Sequence, residues 1–157
     1  MKVFNSEKSF EQYLTKLIEK NITKDYPSIY SLNAKRAVDL VICKDGRFPK
    51  LYFVEVKYFN RKKNHSMVSF GGRKGTGFQP AVLQSQPDYF KKNLRWVMGS
   101  AMHDGLYFMD MATVMKHLSG GCIGKKQNGF KRSIFENECA LDESGFIKEL
   151  KKWLGLK

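Results

Sequence analysis

Apolar residues recur along this chain with two different periods. Between residues 6 and 22, Phe10, Tyr13, Leu14, Leu17 and Ile18 fall at i, i+3 and i+4, the spacing of one face of an amphipathic helix. Ser9 and Gln12 stand in capping-box relation near its start, and Ser6 is the alternative cap. The period then drops to two. Ala37–Cys43 and Leu51–Tyr58 are rich in β-branched and aromatic residues and read as strands. Along the second, Leu51, Phe53, Glu55 and Lys57 share one side, while Tyr52, Val54, Val56 and Tyr58 share the other. The link from Lys44 to Lys50 contains Asp45-Gly46, which predicts an antiparallel hairpin. A loop symmetric about Arg47 sets Asp39 opposite Glu55.

Other segments are read the same way. Thr23–Lys35 is a connection holding Tyr26-Pro27, with a short strand at Ile29–Leu32. Phe78–Asn93 is helical and interrupted before Pro87. Leu94–Gly99 and Leu106–Met109 are strands around a turn at His103-Asp104-Gly105. Met111–Leu118 is a short helix, and Asp142–Leu154 is a helix with Phe146, Leu150, Trp153 and Leu154 as its stripe and Asp142 as its cap. No internal repeat or linker interrupts the chain. The expectation is one α/β domain over residues 1–157, with a mixed central sheet of four or five strands flanked by helices.

The pairing of Asp39 with Glu55 changes the picture. Directly opposed residues have Cβ atoms roughly 4.5–5.5 Å apart, and like charges there repel. A divalent cation would remove that repulsion, since carboxylate oxygens suit Mg²⁺. Lys57, on the face of Glu55, would stand beside it.

Charge points to a partner. The 157 residues carry 28 Lys+Arg against 15 Asp+Glu, a formal charge of +13, which favours a polyanion such as nucleic acid. The cations gather in polar or glycine-rich stretches: Arg61, Lys62 and Lys63; Arg73 and Lys74; Lys125 and Lys126 within a basic loop over 125–132. These are candidate phosphate contacts. Neither glycine-rich stretch is a nucleotide fold motif: residues 71–77 lack the dinucleotide spacing, and residues 120–126 depart from the phosphate-loop pattern at Ser119 and Lys126. His65, His103 and His117 lack metal-ligand spacing and are assigned to polar surface. Cys43, Cys122 and Cys139 are too scattered for a disulfide framework or a zinc cluster. With no signal peptide and no apolar run of membrane length, the expectation is a reduced, intracellular (cytoplasmic) protein away from membranes.

Val38-Asp39, then fifteen residues, then Glu55-Val56-Lys57 on a second strand resembles the PD-(D/E)XK nuclease superfamily, with its restriction-endonuclease-like fold. Val38 stands where that family usually has proline. The resemblance runs from residue 7 to about residue 110, and its specific part is three residues. It implies a Mg²⁺-dependent endodeoxyribonuclease, with Mn²⁺ as substitute, acting on DNA and leaning to a restriction-type homodimer on duplex. A junction, flap or single-strand nuclease, or a non-catalytic basic binding module, are the alternatives. Asp39 and Glu55 would hold the metal with the Val56 carbonyl, and Lys57 would assist the attacking water. Family members often add a glutamate from the first helix; Glu11 is the first choice and Glu7 the reserve, with Glu19 pointing away. Related nucleases also place a polar residue on the element after the catalytic strand, for which Gln79 is the candidate.

Overall fold

The computed structural model describes residues 2–22, 28–31, 38–44, 47–59, 67–69, 87–119, 129–131 and 133–156. Helix α1 (Glu7–Ile22) comes first, followed by strands β1 (Ser28–Ser31), β2 (Leu40–Lys44), β3 (Lys50–Phe59) and β4 (Met67–Ser69). Next are helix α2 (Asp88–Lys92), strands β5 (Leu94–Ser100) and β6 (Tyr107–Met109), and helix α3 (Met111–Lys116). Strands β7 (Leu118–Ser119) and β8 (Gly129–Lys131) precede helices α4 (Ile134–Asn137) and α5 (Glu143–Leu154).

The main sheet has five strands in the order β1-β2-β3-β5-β6. Its neighbours are antiparallel except β3 and β5, which run parallel with Glu55 beside Trp96 and Lys57 beside Met98. The fold is therefore α/β with a mixed sheet, as the alternation of periods implies. β3 is its central strand and contributes to both faces. Tyr52, Val54, Val56 and Tyr58 enter a core with Phe10, Leu14 and Ile18 of α1 and Phe146, Leu150 and Leu154 of α5. The other face packs Leu94, Trp96 and Met98 of β5 against Met111, Val114, Ile134 and Phe135 from α3 and α4. Phe10, Leu14, Ile18 and Ile22 are fully buried, each stabilising the fold by about 1.5–3 kcal/mol relative to exposure.

The caps explain where helices begin. Ser6 and Ser9 exchange bonds at the start of α1: the Ser9 N–H donates to Ser6 Oγ (3.1 Å) and the Ser6 N–H to Ser9 Oγ (3.2 Å). Ser6, not Ser9 with Gln12, is thus the cap. Asp142 accepts from the Gly145 N–H at 2.7 Å and starts α5 as its sequence implies. Gly105 has φ +107, and a Cβ there would lie 2.7 Å from that of Ala140, so the turn between β5 and β6 requires glycine.

Three expectations are corrected. The helix from Met111 ends at Lys116, and Leu118-Ser119 becomes β7. Residues 129–131, read as part of a basic loop, form β8, which pairs with both β4 and β7 in a second, three-stranded sheet. Backbone pairing across some sixty residues carries no local signature. Third, His117 is buried, with Nε2 lying 2.6 Å from Glu138 Oε1. His103 is half-buried and stacks on Phe135 at 5.1 Å. Tertiary packing, not local polarity, sets both.

Candidate active site

The site forms at the Asp39 end of the β2–β3 pairing. The β2–β3 register pairs Leu40 with Val54 and Lys44 with Lys50. Continued by one residue, it sets Asp39 against Glu55, the relation the symmetric loop implies. Even-numbered residues of β3 turn their backbone groups toward β2: Val54 O accepts from the Asp39 N–H at 3.1 Å. Beyond that point no further β2–β3 backbone bond is made among the described residues. Side chains complete the edge instead. The Val56 N–H donates to Asp39 Oδ2 at 2.8 Å, and the Tyr58 N–H to Glu7 Oε2 at 3.4 Å. An unpaired buried amide would cost roughly 1–3 kcal/mol. The bond to Asp39 therefore satisfies the backbone and fixes the carboxylate together.

Glu55 and Lys57 project from the same side of β3, and the Lys57 ammonium gathers three oxygens. Glu55 Oε1 lies at 3.0 Å, Glu7 Oε1 at 3.2 Å and the Val56 carbonyl at 3.1 Å. Asp39 and Glu55 are buried and Lys57 nearly so. Burial pushes the Glu55 carboxyl up to about 8, against the Lys57 charge that lowers it and with the Asp39 and Glu7 charges that raise it. For Lys57, burial works to depress the ammonium, but the carboxylates of Glu55, Glu7 and Asp39 outweigh it and hold the group above the usual lysine range. The result is a compact acidic pocket around one ammonium.

The first helix contributes two carboxylates near this edge of the core. Glu7, in its first turn, touches Lys57 directly. Glu11, one turn on, is buried among the core-facing residues of α1, while Glu19 is exposed. The sequence ranked Glu11 first and Glu7 in reserve, and it is Glu7 whose carboxylate lies on Lys57. Which of the two reaches Lys57 depends on how the helix packs on β3. Arg61, Lys62, Lys63, Arg73, Lys74, Gln79, Lys125 and Lys126 lie outside the described residues. Among the described residues, no group of three or more His, Cys, Asp or Glu side chains is gathered to hold a metal ion, and no helix is long and apolar enough to cross a membrane. The oxygen donors closest to Lys57 are two carboxylates and one backbone carbonyl.

No protein-family model matches the chain, and no curated protein matches it. One solved structure that aligns with it is Hjc of Archaeoglobus fulgidus, described as a Holliday junction resolvase from an archaeal hyperthermophile. The alignment covers 86% of this chain and 93% of that one, at 12% sequence identity and a TM-score of 0.45.

Proposed function

We propose that this chain is a metal-dependent DNA endonuclease of the PD-(D/E)XK type, hydrolysing phosphodiester bonds at Asp39, Glu55 and Lys57. One observation carries the reading: Asp39 and Glu55 are both buried, Asp39 accepts from the amide next to Glu55 at 2.8 Å, and Lys57, two residues beyond Glu55, lies 3.0 Å from its carboxylate. Holding this set ionised is costly, since burial and the Asp39 and Glu7 charges push the Glu55 carboxyl up to about 8 even with the Lys57 ammonium beside it.

The residues fit Mg²⁺. The donors are hard oxygens, and Glu55 Oε1, Glu7 Oε1 and the Val56 carbonyl already surround a cation, the Lys57 ammonium, within 3.2 Å. Asp39, Glu55 and the Val56 carbonyl are the proposed ligands, with Mn²⁺ as substitute. When bound, such an ion would supply a more acidic water and would offset phosphate charge. The chain's own groups do the rest. The Val56 N–H holds Asp39 in place, so its carboxylate needs no reorganisation. Lys57 can donate to an attacking water or to the charge growing on the phosphate oxygens, where a preorganised donor acts most strongly. Glu7 holds the ammonium at the edge from which it would act.

The test is cleavage of supercoiled plasmid, linear duplex, branched and single-stranded DNA, each with Mg²⁺ and with EDTA. Mg²⁺-dependent cutting supports the reading, and the favoured substrate separates a restriction-type from a structure-specific enzyme. Binding without cutting of any substrate would leave a non-catalytic basic module in its place.

A further inference from the structure

The far end of the β2–β3 hairpin carries an exposed aromatic and cationic surface that the proposed chemistry does not use. Phe48 is 78% exposed, Tyr89 52% and Leu51 41%. Most large apolar side chains here are in the core, so three together at one end of the sheet are unusual for a monomer surface. Tyr89 is not a loose side chain. Its hydroxyl accepts from the Leu51 N–H at 3.1 Å and donates to the Leu51 carbonyl at 3.3 Å. The contact closes the β5-side edge of β3 ahead of the point where Phe53 pairs with Leu94. The ring is pinned while half of it remains in solvent.

The charges around it are mostly cationic. The Arg47 guanidinium lies 5.6 Å from the Phe48 ring centre. Among the described residues, no carboxylate pairs with Arg47, Lys50 or Lys92, and Asp88, beside Tyr89, is engaged by Lys91 at 2.9 Å. Exposed rings interleaved with unpaired cations suit one class of partner: bases stack on the rings while phosphates meet the cations. A duplex offers no free base faces along its length. A strand with unpaired bases does.

Position links this surface to the candidate active site. Leu51 and Glu55 share one side of β3, four residues apart, which at about 3.3 Å per residue is roughly 13 Å. That distance is about four nucleotide steps of a stacked strand at 3.4 Å per step.

We propose that Phe48 and Tyr89, with Arg47, Lys50 and Lys92, form a stacking platform for unpaired nucleotides, so that the preferred substrate carries single-stranded DNA about four nucleotides from the bond cut. The proposal rests on the nuclease reading for its geometry, and it selects the structure-specific form of that reading.

Fluorescence anisotropy in EDTA, using labelled dT20 and a blunt 20-base-pair duplex, tests it on the full chain. Phe48→Ala and Tyr89→Ala should each weaken dT20 binding roughly ten-fold. Duplex affinity should change less than about two-fold, and the salt slope should stay the same because no phosphate contact is lost. Phe48→Trp should retain affinity and show fluorescence quenched by dT20. Melting curves exclude unfolding, and Phe48, almost wholly in solvent, contributes little to the core. Equal losses on both probes, no loss on dT20, or an unquenched Trp would overturn the platform while leaving the nuclease reading standing. A wild-type protein that binds neither probe would overturn both.

Discussion

Glu55→Gln tests the electrostatics of the site without substrate or metal. A glutamate ordinarily titrates near 4.5, whereas burial pushes Glu55 up to about 8 in the folded chain. Between those values the folded state holds a proton that the unfolded state releases, so stability falls as pH rises. Glu55's contribution is fully present below about pH 4.5 and is lost above about pH 8. At 1.36 kcal/mol per pH unit, the whole span corresponds to an upper limit on the order of 5 kcal/mol. A glutamine cannot ionise, so the variant should lack this part of the slope. Urea unfolding in EDTA at half-unit steps from pH 5 to pH 9 measures it as wild type minus variant, in which the shared titrations cancel. The wild-type protein should lose several kcal/mol more than Glu55→Gln across that range, steepest between pH 5 and pH 8. Parallel curves for the two proteins would refute the burial argument.

Three further outcomes can be measured, two from this geometry and one from the cationic stretches of the sequence. Asp39→Asn, which can keep the acceptor for the Val56 N–H but removes the charge that raises Glu55, should abolish the rise in melting temperature on adding Mn²⁺ and stabilise the metal-free protein at pH 8; a variant that still gains stability from Mn²⁺ would show that Asp39 is no ligand. Glu7→Gln and Glu11→Gln should each slow single-turnover cleavage by about ten-fold or more, whereas Glu19→Gln, exposed on the far side of α1, should stay within about two-fold; equal effects at all three would show that the helix face is wrongly assigned. Neutralising Arg73 and Lys74 together should weaken DNA binding and make the slope of log K against log salt shallower by about two units, with cleavage at saturating protein unchanged; an unaltered slope would remove both as phosphate contacts.

What the sequence revealed follows from how local each signal is. The hairpin register was legible because a short link sets pairing over a few residues: Leu40 pairs with Val54 and Lys44 with Lys50, as a link centred on Arg47 implies. The stripe of α1 was legible because Phe10, Leu14 and Ile18 repeat every helical turn. The sheet of β4, β8 and β7 was not, since residues 67–69 meet residues 129–131 through pairing with no local pattern. His117 looked like surface because its partner, Glu138, is twenty-one residues away. The choice between Glu7 and Glu11 was likewise closed to periodicity. Both carboxylates lie beside one stripe, and the contacts Glu7 makes with Lys57 and the Tyr58 amide cross fifty residues of sequence.

The most direct test of the central claim is the single-turnover rate at which Lys57→Ala cleaves DNA in Mg²⁺, measured beside its melting curve and its DNA affinity. Lys57 lies within 3.2 Å of three oxygens at the candidate site, yet it is one cation among the chain's 28 Lys+Arg. The expected result is a folded variant that binds DNA within about two-fold of wild type, since one charge is a small part of counterion release, and makes no cuts. A folded Lys57→Ala protein that cleaves at the wild-type rate would contradict it.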